Sequence, residues 1–142
     1  MKKSTAILVA EFFGTFALTS AVLADANPFV TLGILVLLIG GISGAHVNPA
    51  VSLGAASMNK LKMNDLARFW AVQVAGALVA RVVFGYLRGQ DFSLSMDFAS
   101  LEGEMLVAEI LGAAVFLMGI GYAMAHKLEG PALAAAVGCS LM

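Results

Sequence analysis

Charged residues cut this chain into apolar runs, and those runs decide what it can fold into. Residues 4–24 carry a single charge, that of Glu11. As a helix, this run reaches roughly 31 Å, enough to cross a hydrocarbon core of about 30 Å. Further runs lie at about 28–42, 66–87 and 105–125, and a fifth, 131–142, opens at Pro131. The second run is short, and spans only with little tilt or a locally thinned bilayer. Water is excluded as the solvent, because 61% of the residues are hydrophobic and 12% are charged, whereas soluble domains run at about 45–50% and about 25%. The pattern predicts one membrane domain, 1–142, built as an all-α, polytopic transmembrane helical bundle.

Composition removes several function classes. A net charge of −1 offers no field for gripping a polyanion, so no nucleic-acid partner is expected. Cys139 is the one cysteine and sits in an apolar run, where it reads as a buried thiol. Of the two histidines, His126 is expected at the membrane edge, away from His46, so a two-histidine metal site is not expected, and no cofactor is expected. Too few ionisable residues lie in the runs for an ion-coupled transporter or a proton relay.

Basic residues set the orientation. Lys2, Lys3, Lys60, Lys62, Arg68 and Lys127 gather at one set of run ends, while Asp25, Asp91, Asp97, Glu102, Glu104 and the lone basic exception Arg88 lie at the other. Basic residues favour the cytoplasmic side, which places the N-terminus there, in a cell (plasma or inner) membrane. The opening Met-Lys-Lys and the later Val22-Leu23-Ala24 outline a secretory signal peptide. Glu11 within the run, and the runs behind it, favour a first span instead.

The segment Ser43-Gly44-Ala45-His46-Val47-Asn48-Pro49-Ala50-Val51-Ser52-Leu53-Gly54 reads as a break followed by a new helix. Gly40, Gly41 and Gly44 are expected to end the preceding helix. Asn48 is a favoured N-cap, and proline at N1 costs no hydrogen bond. The helix over about 49–58 would be roughly 15 Å long, half a membrane. It therefore reads as a re-entrant half-helix, the competing reading being a surface helix in a cytoplasmic loop. Broken backbone at membrane depth is tolerated only where protein covers it or where it lines a wet cavity.

The chain also repeats itself. Ala10-Glu11-x-x-Gly14 recurs 98 residues later as Ala108-Glu109-x-x-Gly112. In the orientation above, the first copy runs outward and the second inward, an inverted repeat of the kind that transport proteins use. A carboxylate at membrane depth costs about 2.5–3.5 kcal/mol, so Glu11 and Glu109 are expected to face the interior and accept hydrogen bonds. Gly14, Gly76 and Gly112 are expected to let helices approach closely. Trp70 is expected at a membrane interface, and Arg81 to snorkel outward.

These residues carry a resemblance. The stretch from Ser43 to Val51 resembles the first Asn-Pro-Ala signature of the aquaporin and glycerol-facilitator family, the major intrinsic proteins. Ala10 to Phe16, Gln73-Val74-Ala75-Gly76 and Ala108 to Gly112 are similar to its first-, third- and fourth-helix motifs. The resemblance implies an aquaporin-like right-handed inverted repeat with one re-entrant half-helix, C-terminally incomplete because no second Asn-Pro-Ala is present. It implies a passive channel for water or small neutral solutes such as glycerol, not an enzyme, and a homo-tetramer in the lipid bilayer. The alternative is a non-conducting membrane or interaction protein derived from such a channel. By the same resemblance, Gly44, Ala45, His46, Val47, Asn48, Pro49, Ala50 and Phe29 would line the pore. Glu11, Glu109 and Gln73 would brace its loops.

Overall fold

A computed structural model describes residues 3–89 and 103–141. Lys2, Met142 and the acidic residues Asp91, Asp97 and Glu102, which enter the orientation argument, lie outside the described residues. Every regular element among the described residues is an α-helix, in the order α1 (Lys3–Leu23), α2 (Pro28–Ser43), α3 (Pro49–Ser57), α4 (Met63–Leu87), α5 (Gly103–Ala125) and α6 (Gly130–Cys139). Among them α1, α4 and α5 are long and apolar enough to cross a membrane. The 16 residues of α2 give roughly 24 Å, and the ten of α6 roughly 15 Å. The run that opens at Pro131 therefore forms a helix no longer than half a membrane.

Local chemistry fixes the ends of α2 and α3. Asn27 caps α2, its Oδ1 accepting from the backbone N–H groups of Phe29 and Val30 at 3.0 and 3.1 Å. Only Gly44 ends that helix. It takes the left-handed conformation, φ 93°, and returns its N–H to the Gly40 carbonyl. Gly40 and Gly41 stay inside α2, contrary to the sequence expectation, because glycine permits a break without forcing one. Asn48 caps α3 through a 2.7 Å bond from the Ala50 N–H, and Pro49 follows at N1.

The packing is a chain of neighbours: α4, α1, α2 and α6 in succession, with α3 against α4 and α5, and α5 against α6. Glycines sit at the tightest crossings. A Cβ at Gly76 would stand 2.4 Å from the Phe12 carbonyl oxygen, so α1 and α4 meet backbone to backbone. At Gly138 it would stand 2.7 Å from the Phe29 carbonyl oxygen, where α6 meets α2. Gly112 differs from the expectation of close packing, because a Cβ added there would meet nothing within 4 Å. Gly76→Ala is expected to cost about 1–3 kcal/mol, because two backbones must separate. Gly112→Ala is expected to be neutral or slightly stabilising, alanine being the better helix former by about 1 kcal/mol. Thermal unfolding of both variants in detergent checks the contrast, and equal melting temperatures would refute it.

Two further expectations are corrected here. Cys139 is exposed, at the end of α6. Glu109 is also exposed, together with the rest of α5 from Gly103 to Val115. The repeat gives Glu109 the same sequence neighbours as Glu11, but burial depends on what packs against the helix. Among the described residues no element covers that half of α5.

Candidate functional site

The site is the loop between α2 and α3, held by one carboxylate. Glu11 is fully buried in α1. Its Oε1 accepts from the Ser43 hydroxyl at 2.6 Å and the His46 N–H at 3.0 Å. Its Oε2 accepts from the Val47 N–H and the Gln73 amide, both at 2.8 Å. Two donors reach each oxygen, an arrangement that a carboxylate satisfies and an apolar side chain cannot.

That grip offsets strain in the loop. Ala45 and Val47 both adopt left-handed backbone, with φ of 49° and 42°. A β-branched residue there is an outlier that costs on the order of 1–3 kcal/mol and persists only where its surroundings over-determine it. Val47 is held at its N–H by Glu11, and its side chain is 2% exposed. One turn along α1, Gly14 leaves the room. A Cβ there would stand 2.4 Å from Val47 Cγ1 and 2.7 Å from Ile39 Cδ1. Gly14 thus admits a loop side chain, where the sequence suggested only an approach of helices. The pair Glu11 and Gly14 works on one helix face, as positions three apart do.

A second layer joins the loop to α3 and α4. Gln73, fully buried on α4, directs its Nε2 to both Glu11 Oε2 and, at 2.9 Å, Ser52 Oγ. Ser52 Oγ lies 3.2 Å from the Asn48 carbonyl oxygen and 3.2 Å from His46 Nδ1. The other amide atom, Gln73 Oε1, is buried without a partner among the described residues. Trp70 donates its indole N–H to the Pro49 carbonyl at 3.0 Å, tying α4 to the start of α3. Sequence reasoning gave Trp70 an interface role and no role to Ser43 or Ser52. The one available signal for Ser52 was its position a helical turn after the Asn48 cap.

Beside the loop lies a cavity of about 370 Å³. Gly44, Ala45 and His46 border it, Val51 and Ala55 of α3 form one wall, and Leu117 of α5 faces them. Met58 and Lys60 border it at the far end of α3. The structure therefore brings Gly44, Ala45 and His46 to this cavity. Val47 is buried behind them, while Asn48 is half-buried and Pro49 and Ala50 are exposed at the tip of α3. Phe29 does not join them. It lines a separate groove between α2 and α6, with Gly33 and Gly138, because it sits in the first turn of α2, at the end away from the loop.

Comparison with known proteins gives a consistent set. A family model described as "Major intrinsic protein" matches residues 23–142. Aquaporin Z of Brucella melitensis is 42% identical over 94 residues, covering 54% of this chain and 41% of that protein. Aquaglyceroporin AqpS of Rhizobium meliloti is 42% identical over 83 residues, covering 52% and 36%. Aquaporin Z of Rhodopseudomonas palustris is 34% identical over 112 residues, covering 65% and 47%. The chain thus spans less than half the length of each of these relatives.

Proposed function

The chain belongs to the major intrinsic protein family, and from that premise we propose that these residues build one half of a passive membrane channel for water or small uncharged solutes such as glycerol. The observation that carries the proposal is the strained loop at residues 44–47, pinned by Glu11 beside a cavity and followed by a nine-residue helix. Strain of this kind is retained where it serves a site. Loop carbonyls and His46 offer hydrogen-bond acceptors to a passing solute, and the Asn48 amide offers donors. The N-terminus of α3 carries about half a positive charge, which repels cations while neutral hydrogen-bonding molecules pass. Glu11 and Gln73 brace the loop without touching solute. The N-terminus is cytoplasmic in this reading, which puts Lys60 at the inner mouth, and the assembly is a homo-tetramer. The exposed face of α5 around Glu109 is where the remaining length found in the relatives would pack.

Reconstitution tests the proposal. Vesicles bearing residues 1–142 alone are expected to show the osmotic permeability of empty liposomes, because in this reading they supply one half of the pore wall. The chain extended by the length its relatives possess is expected to raise permeability in stopped-flow light scattering while holding an imposed pH gradient. Fast water flux through 1–142 alone, with the gradient held, would show that one half-helix suffices or that copies combine. An extended form as tight as empty liposomes would favour a non-conducting membrane protein.

A further inference from the structure

We propose that Ser52, oriented by Gln73 and Glu11, holds the His46 ring with its proton on Nδ1, so that Nε2 faces the cavity as a bare hydrogen-bond acceptor. The network begins at Glu11. Gln73 places one amide atom 2.8 Å from Glu11 Oε2 and 2.9 Å from Ser52 Oγ. Were that atom the amide oxygen, it would face a carboxylate oxygen, two acceptors in contact. It is therefore the NH₂, and it donates to both. Leaving Gln73 Oε1 buried and unpaired is the cost of that orientation.

Ser52 Oγ then accepts from Gln73, and it has one proton of its own to place. A hydroxyl offers one donor and two acceptor sites. Its remaining neighbours are the Asn48 carbonyl oxygen and His46 Nδ1, each at 3.2 Å. The carbonyl can only accept. If Ser52 donates to it, His46 Nδ1–H donates into the second lone pair of Ser52, and all the contacts of that oxygen become hydrogen bonds. If Ser52 donates to Nδ1 instead, the contact with the Asn48 carbonyl is lost and one acceptor site of Ser52 stays empty. The first assignment makes one more hydrogen bond within a buried network, where an unmade bond costs most.

The consequence reaches the cavity. His46 borders it, and Nδ1 is committed to Ser52, so Nε2 is the ring atom left for a solute. As an acceptor it joins the loop carbonyls, and solutes bearing O–H or N–H groups are favoured over those that only accept. That a solute passes this face rests on the channel reading; the proton position does not. A free histidine side chain favours the opposite, Nε2–H form, so the protein environment here reverses an intrinsic preference.

Nitrogen-15 NMR of labelled histidine decides the matter in the full chain in lipid nanodiscs. The chain has two histidines, so His126→Asn leaves His46 as the single ring observed. The measurement is made at about pH 8, above the ordinary histidine value of about 6.5. The expected result is a protonated Nδ1 and a bare Nε2. Ser52→Ala should move the proton population to Nε2, and Ser52→Thr, which keeps the hydroxyl, should restore it. A dominant Nε2–H signal in the parent, a doubly protonated ring, or no response to Ser52→Ala would each overturn the proposal. Should Ser52→Ala fail to fold, the parent spectrum alone still decides the assignment. The spectrum is read without transport, so failure of the permeability assay and failure of this inference are separable.

Discussion

Glu11→Leu is expected to destabilise the protein by about 2–6 kcal/mol, and Glu11→Gln by about half as much. In the leucine variant the Ser43 hydroxyl and the Gln73 amide can turn elsewhere, but the His46 and Val47 N–H groups cannot. Each stranded, buried donor costs about 1–3 kcal/mol, and there are two of them. Glutamine keeps the shape and one acceptor oxygen. Its NH₂ must replace either Oε1, which faces Ser43 and His46, or Oε2, which faces Val47 and Gln73. Ser43 and Gln73 can adapt by presenting an oxygen to the new donor, and Gln73 Oε1 is unpaired and free to do so. One backbone N–H is stranded whichever way the amide turns. Unfolding in detergent should therefore rank parent above glutamine above leucine. Equal stability of the two variants would show that Glu11 does not hold the loop.

How much of this could be read from the sequence depends on whether a feature announces its own need. A carboxylate inside an apolar run must find donors, and Gly44, Asn48 and Pro49 mark a break and a restart by local geometry alone. The break, the short helix after it, and Glu11 as a group in need of a partner are therefore legible. Serine announces nothing of the kind. Ser43 and Ser52 acquire their roles only because the loop folds back on α1, bringing residues 11, 43, 46 and 52 into one network. Trp70 read as an interface anchor because its indole suits that place equally well, and only the crossing of α4 over α3 reveals the Pro49 carbonyl beneath it. Glu109 shows the converse limit. The sequence repeat gives it the neighbours of Glu11 along the chain, yet among the described residues its face of α5 stays exposed. Repetition in sequence predicts the surface a helix presents, not whether another element covers it. Phe29 shows a related limit: an aromatic near the start of a short helix has no sequence mark separating a cavity-facing register from one turned toward α6, and here it lines the groove between α2 and α6.

The tightest test of the loop is the pair Gly14 and Val47, which should be strongly coupled in a double-mutant cycle. Gly14→Ala alone places a methyl 2.4 Å from Val47 Cγ1. Valine is stiff at χ1, and its backbone is held by Glu11, so neither side yields easily. Overpacking of this kind costs about 1–3 kcal/mol. Val47→Gly alone removes a side chain that is 2% exposed, a loss of about 1.5–3 kcal/mol. Part of that loss returns, because glycine carries no penalty at the φ of 42° that valine is forced to adopt. In the double variant the new methyl occupies space that Val47 has vacated, and the helix gains about 1 kcal/mol from replacing glycine. Ile39 Cδ1, the other near atom at 2.7 Å, is the tip of a flexible chain and can swing aside. Gly14→Ala should therefore destabilise the parent yet be neutral or stabilising when Val47 is glycine, a coupling of about 1–3 kcal/mol. Sites that do not touch add within about 0.3–0.5 kcal/mol. Additivity at that level, measured by unfolding of all four proteins in one detergent, would mean that Gly14 does not make room for Val47 and that the loop sits elsewhere.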